Sequence, residues 1–157
     1  MTASVAITRV NAEELPVFIS LIRALESEAH PRDKAAAERA ARGVYQSLQR
    51  LDFTRSDVCW MLLARAAGMP VGYASLVRIP KADARSGYLF VDELVVLEGF
   101  RRAGVASALL AHVEGEAHAL GVAGLRLLVR PQNEAARALY RTAGFSESET
   151  IFCEKHV

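Results

Sequence analysis

Residues 5–10 form a short run rich in β-formers. Asn11 and Glu14, a capping pair three residues apart, then precede Leu15, Phe18, Ile19, Ile22 and Leu25 at helical spacing. A strand leading into a helix is predicted. His30 and Pro31 interrupt that helix. Ala36, Ala40, Val44, Tyr45, Leu48 and Leu51 then recur at helical spacing with charges between them, predicting a second helix that ends near Leu51 or Asp52. Residues 58–66 and 71–79 are apolar and β-prone, and Gly68, Met69 and Pro70 between them read as a hairpin turn joining two antiparallel strands. Residues 81–86 are polar and loop-like. Residues 88–97 are long and apolar, broken only by Asp92 and Glu93, as expected of a buried central strand.

Val105, Leu109, Leu110, Val113, Ala117 and Leu120 describe one face of a helix that Gly121 stops, and residues 125–129 make the next strand. Asn133 opens a helix with Ala136, Leu139 and Tyr140 on its inner face, Gly144 closes it, and residues 150–155 read as a final strand. The predicted order is strand, two helices, three strands, helix, strand, helix, strand. That order implies an α/β domain in which helices flank a mixed sheet. No repeat, low-complexity tract or linker interrupts residues 1–157, so one domain is expected.

Composition narrows the picture. At 157 residues a single core is large enough to form without metals or disulfides, and a net charge of +1 with 24% charged residues favours neither disorder nor nucleic acid. Cys59 and Cys153 have no second Cys or His at zinc spacing, so no metal is expected and a reduced, cytoplasmic chain is the simplest reading. The first twenty residues lack the basic start and continuous apolar block of a leader, and no apolar run approaches about 18 residues. Secretion and membrane insertion are not expected.

Chemistry enters at the junction between the long strand and the helix after it. Ala103, Gly104 and Ala106 are small enough to let phosphate oxygens reach the backbone. The unpaired N–H groups and positive dipole end of the helix favour an anion there, and Arg101 and Arg102 add charged donors. A strand-to-helix turn can carry a Gly and a basic residue for backbone reasons alone. The absence of G-x-x-x-x-G-K-[ST] and G-x-G-x-x-G disfavours nucleoside triphosphates and dinucleotides and leaves other diphosphates.

Arg101-x-x-Gly104-x-Ala106 resembles the Q/R-x-x-G-x-G/A hallmark of the GCN5-related N-acetyltransferase (GNAT) superfamily. Leu94-x-Val96 before it is similar to that family's cofactor strand, and Asn133-x-x-Ala136-x-x-Leu139-Tyr140-x-x-x-Gly144-Phe145 to its second cofactor motif. The close match spans roughly residues 88–145; Glu98 stands where many members have Pro, and Ala106 replaces the commoner second Gly. The resemblance implies a mostly antiparallel sheet splayed at the cofactor site, acetyl-CoA as donor, and the possibility of a homodimer. It implies that Leu94, Val95 and Val96 bond the pantetheine arm and thioester carbonyl through their backbone. The pyrophosphate would lie on the amides of Arg101, Arg102, Ala103, Gly104, Val105, Ala106 and Ser107, with Asn133 and Ala136 near the pantetheine and Tyr140 near the sulfur.

Acetyl transfer from a thioester needs a neutral amine, a polarised carbonyl and a proton for the leaving thiolate. The Leu94 N–H is the candidate oxyanion donor and the Tyr140 O–H the candidate acid, against the plainer reading of Tyr140 as a core anchor. Period-two alternation sends Asp92 and Glu93 to opposite faces. Asp92 shares parity with Leu94 and Val96 and is the candidate that binds the amine or takes its proton; Glu93 is then structural, unless a bulge exchanges them. Glu28, at the end of the first helix, is a candidate contact for a cationic amine, although a solvated helix end would look the same. A direct transfer to a primary amine through a ternary complex is expected. Small amines or polyamines are preferred, with aminoglycosides, protein lysines or N-termini and a non-catalytic acyl-CoA sensor as alternatives.

Overall fold

The computed structural model describes residues 4–83 and 85–157. Ala84, within the loop expected over residues 81–86, lies outside the described residues. The chain runs β1 (Val5–Arg9), α1 (Leu15–Ala29), α2 (Ala36–Arg50), β2 (Cys59–Ala66), β3 (Met69–Ile79), β4 (Tyr88–Val96), a 3-10 turn (Glu98–Phe100), α3 (Val105–Leu120), β5 (Gly124–Leu127) and α4 (Glu134–Thr142). The sheet has the order β1-β2-β3-β4-β5; β1 to β4 pair antiparallel, and β5 runs parallel to β4 after the α3 crossover. This is the mixed, mostly antiparallel α/β architecture expected from the sequence.

Two apolar layers hold the helices to the sheet. On one face Leu109, Val113 and Ala117 of α3 pack with Leu62, Leu76, Leu89 and Val91; on the other, Phe18 and Leu21 of α1 pack with Phe53, Leu63 and Tyr73. Trp60 is a core residue, as its apolar neighbours predict, and its indole Nε1–H donates to Glu116 at 2.8 Å, removing the cost of burying a bare donor.

Several local expectations change. The Asn11 carboxamide accepts the amides of Glu13 and Glu14 in the turn before α1, but the N-cap of the helix is Glu14, which has no side-chain cap bond, and its carboxylate turns to Arg65 rather than closing a reciprocal box. The β2–β3 hairpin turns on Ala67 and Gly68, both at positive φ as a two-residue primed turn requires, so Met69 and Pro70 belong to the strand. The strand expected over residues 150–155 does not form: this stretch has no regular structure, and Ile151 is 92% exposed. Its β-prone side chains have no strand beside them, and a strand without a partner ladder leaves its backbone groups to water.

Candidate active site

β4 is interrupted where the chemistry was expected. Against β3, Glu93 pairs with Ser75 but Val91 pairs with Leu76, leaving Asp92 as an extra residue in a bulge. The bulge resets the alternation: Leu89 and Val91 before it and Leu94 and Val96 after it all pack towards α3, while Val95 and Leu97 pack towards α1 and α2. Asp92 therefore does not share a face with Leu94 and Val96, contrary to the parity argument. Its charge acts on Cys59 and Tyr73, on the α1 and α2 side. Glu93 faces the same side, its Oε2 accepting the Tyr73 hydroxyl at 2.8 Å. Both carboxylates are exposed at one mouth instead of lying on opposite faces.

The same point on β4 is where the sheet opens. Pairing with β5 ends at Val91 and Leu127, so beyond the bulge the β5-facing edge of β4 has no strand partner. Leu97 N–H donates to Val71 C=O at 2.9 Å on the β3 side. Antiparallel alternation then directs the backbone of Val95 to β3 and that of Leu94 and Val96 to the open edge. Of the three residues expected to bond an extended ligand arm through their backbone, Leu94 and the Val96 N–H face the open edge and Val95 does not, while the Val96 carbonyl accepts from Arg101 Nε. Gly72 allows β3 to lie close here, since a Cβ on it would come within 2.7 Å of the Val95 carbonyl.

The turn after β4 is fixed at both ends. Glu28 Oε2 accepts the Glu98 amide at 3.0 Å, and Arg101 Nε donates to the Val96 carbonyl at 3.2 Å. Glu28, expected to meet a cationic amine, thus commits one oxygen to tethering the end of α1 to the 3-10 turn. Beyond it Arg102 and Gly104 take positive φ, 63° and 83°, and curl the backbone into the first turn of α3. Among the described residues, the first amide at this end of α3 with a backbone partner is that of Ala108, bonded to Gly104 C=O at 2.9 Å. The amides of Ala103, Gly104, Val105, Ala106 and Ser107 are left for a ligand. Arg101, Arg102, Ala103, Gly104 and Ser107 are exposed, and a Cβ built on Gly104 meets no protein atom within 4 Å. Backbone amides, two guanidiniums and an unfilled hollow suit the diphosphate of a coenzyme, and the open β4 edge suits an amide-bearing arm.

On α4, the Asn133 side-chain oxygen accepts the Ala136 amide at 3.2 Å, so these two residues are joined first as a helix cap. Tyr140 is half-buried, with its ring 5.8 Å from that of Phe145, and burial alone pushes its hydroxyl above the usual phenol range. It holds its proton at neutral pH, as an acid must. Sequence reasoning missed Tyr73. Burial, then the charge of Glu93 and the hydrogen bond to it, push this hydroxyl far up, which makes it a fixed donor beneath the two carboxylates. The only sequence signal was a Tyr inside an apolar run. Among the described residues no group of His, Cys, Asp or Glu side chains could hold a metal ion, and no helix is long and apolar enough to cross a membrane.

Solved structures share this fold across almost the whole chain. An aminoglycoside N-acetyltransferase, AAC(6')-Iy in complex with CoA, superposes with a TM-score of 0.74 at 20% identity, covering 99% of this chain and 97% of that one. An aminoglycoside acetyltransferase from an uncultured soil metagenomic sample gives 0.78 at 22% identity, covering 98% and 99%. A ribosomal-protein-alanine N-acetyltransferase from Brucella melitensis biovar Abortus 2308 gives 0.70 at 20% identity, covering 98% and 100%. No curated protein matches the chain. The sequence model of the Acetyltransferase (GNAT) family matches residues 19–145, which contain the bulged strand, the amide cradle and the α4 motif. The chain belongs to this family and is an acetyl-CoA-dependent N-acetyltransferase.

Proposed function

We propose that the acceptor is a small primary amine carrying more than one positive charge, a polyamine or an aminoglycoside, acetylated by direct attack in a ternary complex. The observation that carries this reading is the carboxylate mouth. The β4 bulge brings Asp92 and Glu93 to one side of the sheet, and Glu26 adds its charge at the same Tyr73 hydroxyl. Several exposed carboxylates close together attract a polycation more than a singly charged peptide terminus. The fold is shared with enzymes named for both aminoglycosides and a ribosomal-protein alanine, so the fold alone does not choose between them.

Acetyl-CoA supplies an activated thioester. The amides from Ala103 to Ser107 hold its diphosphate, with the Arg101 amide itself bonded to the Glu98 carbonyl at 3.2 Å, while the Leu94 backbone and the Val96 N–H at the open edge orient the arm, with Asn133 and Ala136 flanking it. The Leu94 N–H stabilises the charge that develops on the carbonyl oxygen. Asp92 holds the incoming ammonium and takes its proton, directly or through water. Glu93 is occupied with Tyr73 and sets the local charge. Tyr140 returns a proton to the departing sulfur.

The test is thiol release from acetyl-CoA in the presence of polyamines, aminoglycosides, amino acids and lysine peptides. Saturable turnover with a polycationic small amine is expected. Turnover confined to peptides would replace this acceptor class, and calorimetric acetyl-CoA binding with no turnover on any amine would make the chain a sensor.

A further inference from the structure

α4 carries the hydroxyl assigned to the departing sulfur, yet none of its nine residues is buried, and Ala136, Arg137, Leu139 and Tyr140 are half-buried at most. A helix this short is marginal in water by itself and normally takes its stability from a packed apolar face. A proton donor has to be held within about 0.5 Å of its working place, and a displacement of about 1 Å can cost two powers of ten in rate. With so little of α4 seated on the core, the placement of Tyr140 has to be fixed at the ends of the helix.

At the C-terminal end the Phe145 amide donates to the Tyr140 carbonyl at 2.9 Å and the Gly144 amide to the Arg141 carbonyl at 3.1 Å, with Gly144 at φ 87°. These are the two bonds of a Schellman ending, which brings the residue after the glycine against the third-last residue of the helix. Those residues are Phe145 and Tyr140, and their rings lie 5.8 Å apart at 60°. Beyond this cap the Glu147 carboxylate returns to the helix. Arg137 grips it with Nε at 2.9 Å and Nη2 at 2.7 Å, and Arg141 donates to it from Nη1 at 2.9 Å. Arg137 also donates from Nη1 to the Pro131 carbonyl at 2.9 Å, ahead of α4. One carboxylate thus joins the loop before the helix, the helix itself and the segment after its cap. Exposed ion pairs usually hold little, but both teeth of one guanidinium together with a second arginine is the arrangement that does hold. The Arg137 guanidinium bonded to it keeps the Glu147 carboxyl below the usual carboxylate range, so the network stays charged at neutral pH.

We propose that Glu147 and Arg137 are positioning residues for Tyr140. Their network holds the cap closed, the cap holds Phe145 against the Tyr140 ring, and the ring is kept in the orientation from which its hydroxyl returns the proton. Neither residue touches a reacting atom. The inference rests on the reading of Tyr140 as the acid and on nothing about the acceptor.

The test is a double-mutant cycle in kcat, run by thiol release from acetyl-CoA with the amine that turns over fastest in the screen above. Glu147→Ala is expected to lower kcat by about tenfold with acetyl-CoA affinity by calorimetry unchanged, and to lower it by less than about twofold in the Tyr140→Phe background. Arg137→Lys keeps the charge but loses the two-toothed grip; it is expected to behave alike, and it carries the test if Glu147→Ala does not fold. Full kcat in these variants, or a loss of the same size in the Tyr140→Phe background as in the native one, would overturn the inference and leave the acid in place. A loss of acetyl-CoA affinity would give the arginines to the coenzyme's phosphates and overturn it too. Wild-type turnover in Tyr140→Phe, or no turnover on any amine, removes the acid itself and the inference with it.

Discussion

Tyr140 has its pKa raised by burial and by no neighbouring charge, so the group that would protonate the leaving sulfur stays neutral well past physiological pH. Tyr140→Phe is expected to lower kcat by about one to three powers of ten with acetyl-CoA affinity unchanged; wild-type turnover would remove it from the mechanism. At the carboxylates, an essential base leaves an acid limb in the pH–rate profile. Asp92→Asn should abolish or move that acid limb, whereas Glu93→Gln should leave it in place, because Glu93 is engaged by Tyr73. The reverse outcome would exchange their roles. Tyr73 has a linked effect on stability. Its folded pKa lies above the phenol value of 10.0, so above that pH the folded chain binds more protons than the unfolded one and stability falls as pH rises. Urea midpoints at roughly pH 8 and pH 11 should diverge in the native chain and diverge less in Tyr73→Phe, where Tyr140 and Cys59 still contribute. The types Asp92, Glu93 and Tyr140 were legible in the sequence; the face of Asp92 was not. A one-residue bulge is defined by register against β3, where Leu76 pairs with Val91 and Ser75 with Glu93, and a single strand's alternation holds no record of its partner.

At the scale of elements, the turn from β4 into α3 concentrates amides without a backbone partner among the described residues, and Gly104 is its narrowest requirement. A side chain there would occupy the hollow in front of the helix end and adopt a φ of 83°, a left-handed conformation that costs a non-Gly residue about 1–2 kcal/mol. Gly104→Leu should weaken acetyl-CoA binding by about tenfold or more by calorimetry while the chain remains folded. Unchanged affinity would mean that the diphosphate lies elsewhere. This turn was legible because its demands are local: small residues, basic neighbours and a helix start within six positions. α3 was equally plain, bounded by Gly104 and by Gly121 at φ 64°. The Ala67–Gly68 turn starts one residue before the expected Gly68–Pro70 turn because the β2–β3 pairing, with its irregularity between Ala64 and Arg65, determines which residues cap the hairpin. Residues 150–155 show the converse. Their composition is that of a strand, but strand formation depends on an edge to pair with, which a single chain's periodicity does not supply.

Across the whole molecule the charge nearly cancels, with 19 Lys and Arg against 18 Asp and Glu, so bulk attraction cannot select a polycation. Selection has to come from how the fold distributes that charge. Asp92 and Glu93 arrive at one mouth through the β4 bulge, while Arg101 and Arg102 stand at the turn into α3. One nearly neutral surface thereby presents opposite local fields at these two places. Exposed charges are screened within about 10 Å at 0.1 M salt and about 3 Å at 1 M, and the energy of several carboxylates meeting several ammonium groups falls faster with salt than that of one pair. KM for a polyamine or aminoglycoside should therefore rise several-fold as salt is raised from roughly 0.05 to 0.5 M, with kcat little changed, while KM for a monoamine shifts far less. Asp92→Asn should flatten the polyamine dependence even where residual turnover is low. Equal salt slopes for polyamine and monoamine would show that the mouth recognises shape rather than charge, and the acceptor would then have to be sought among neutral or singly charged amines.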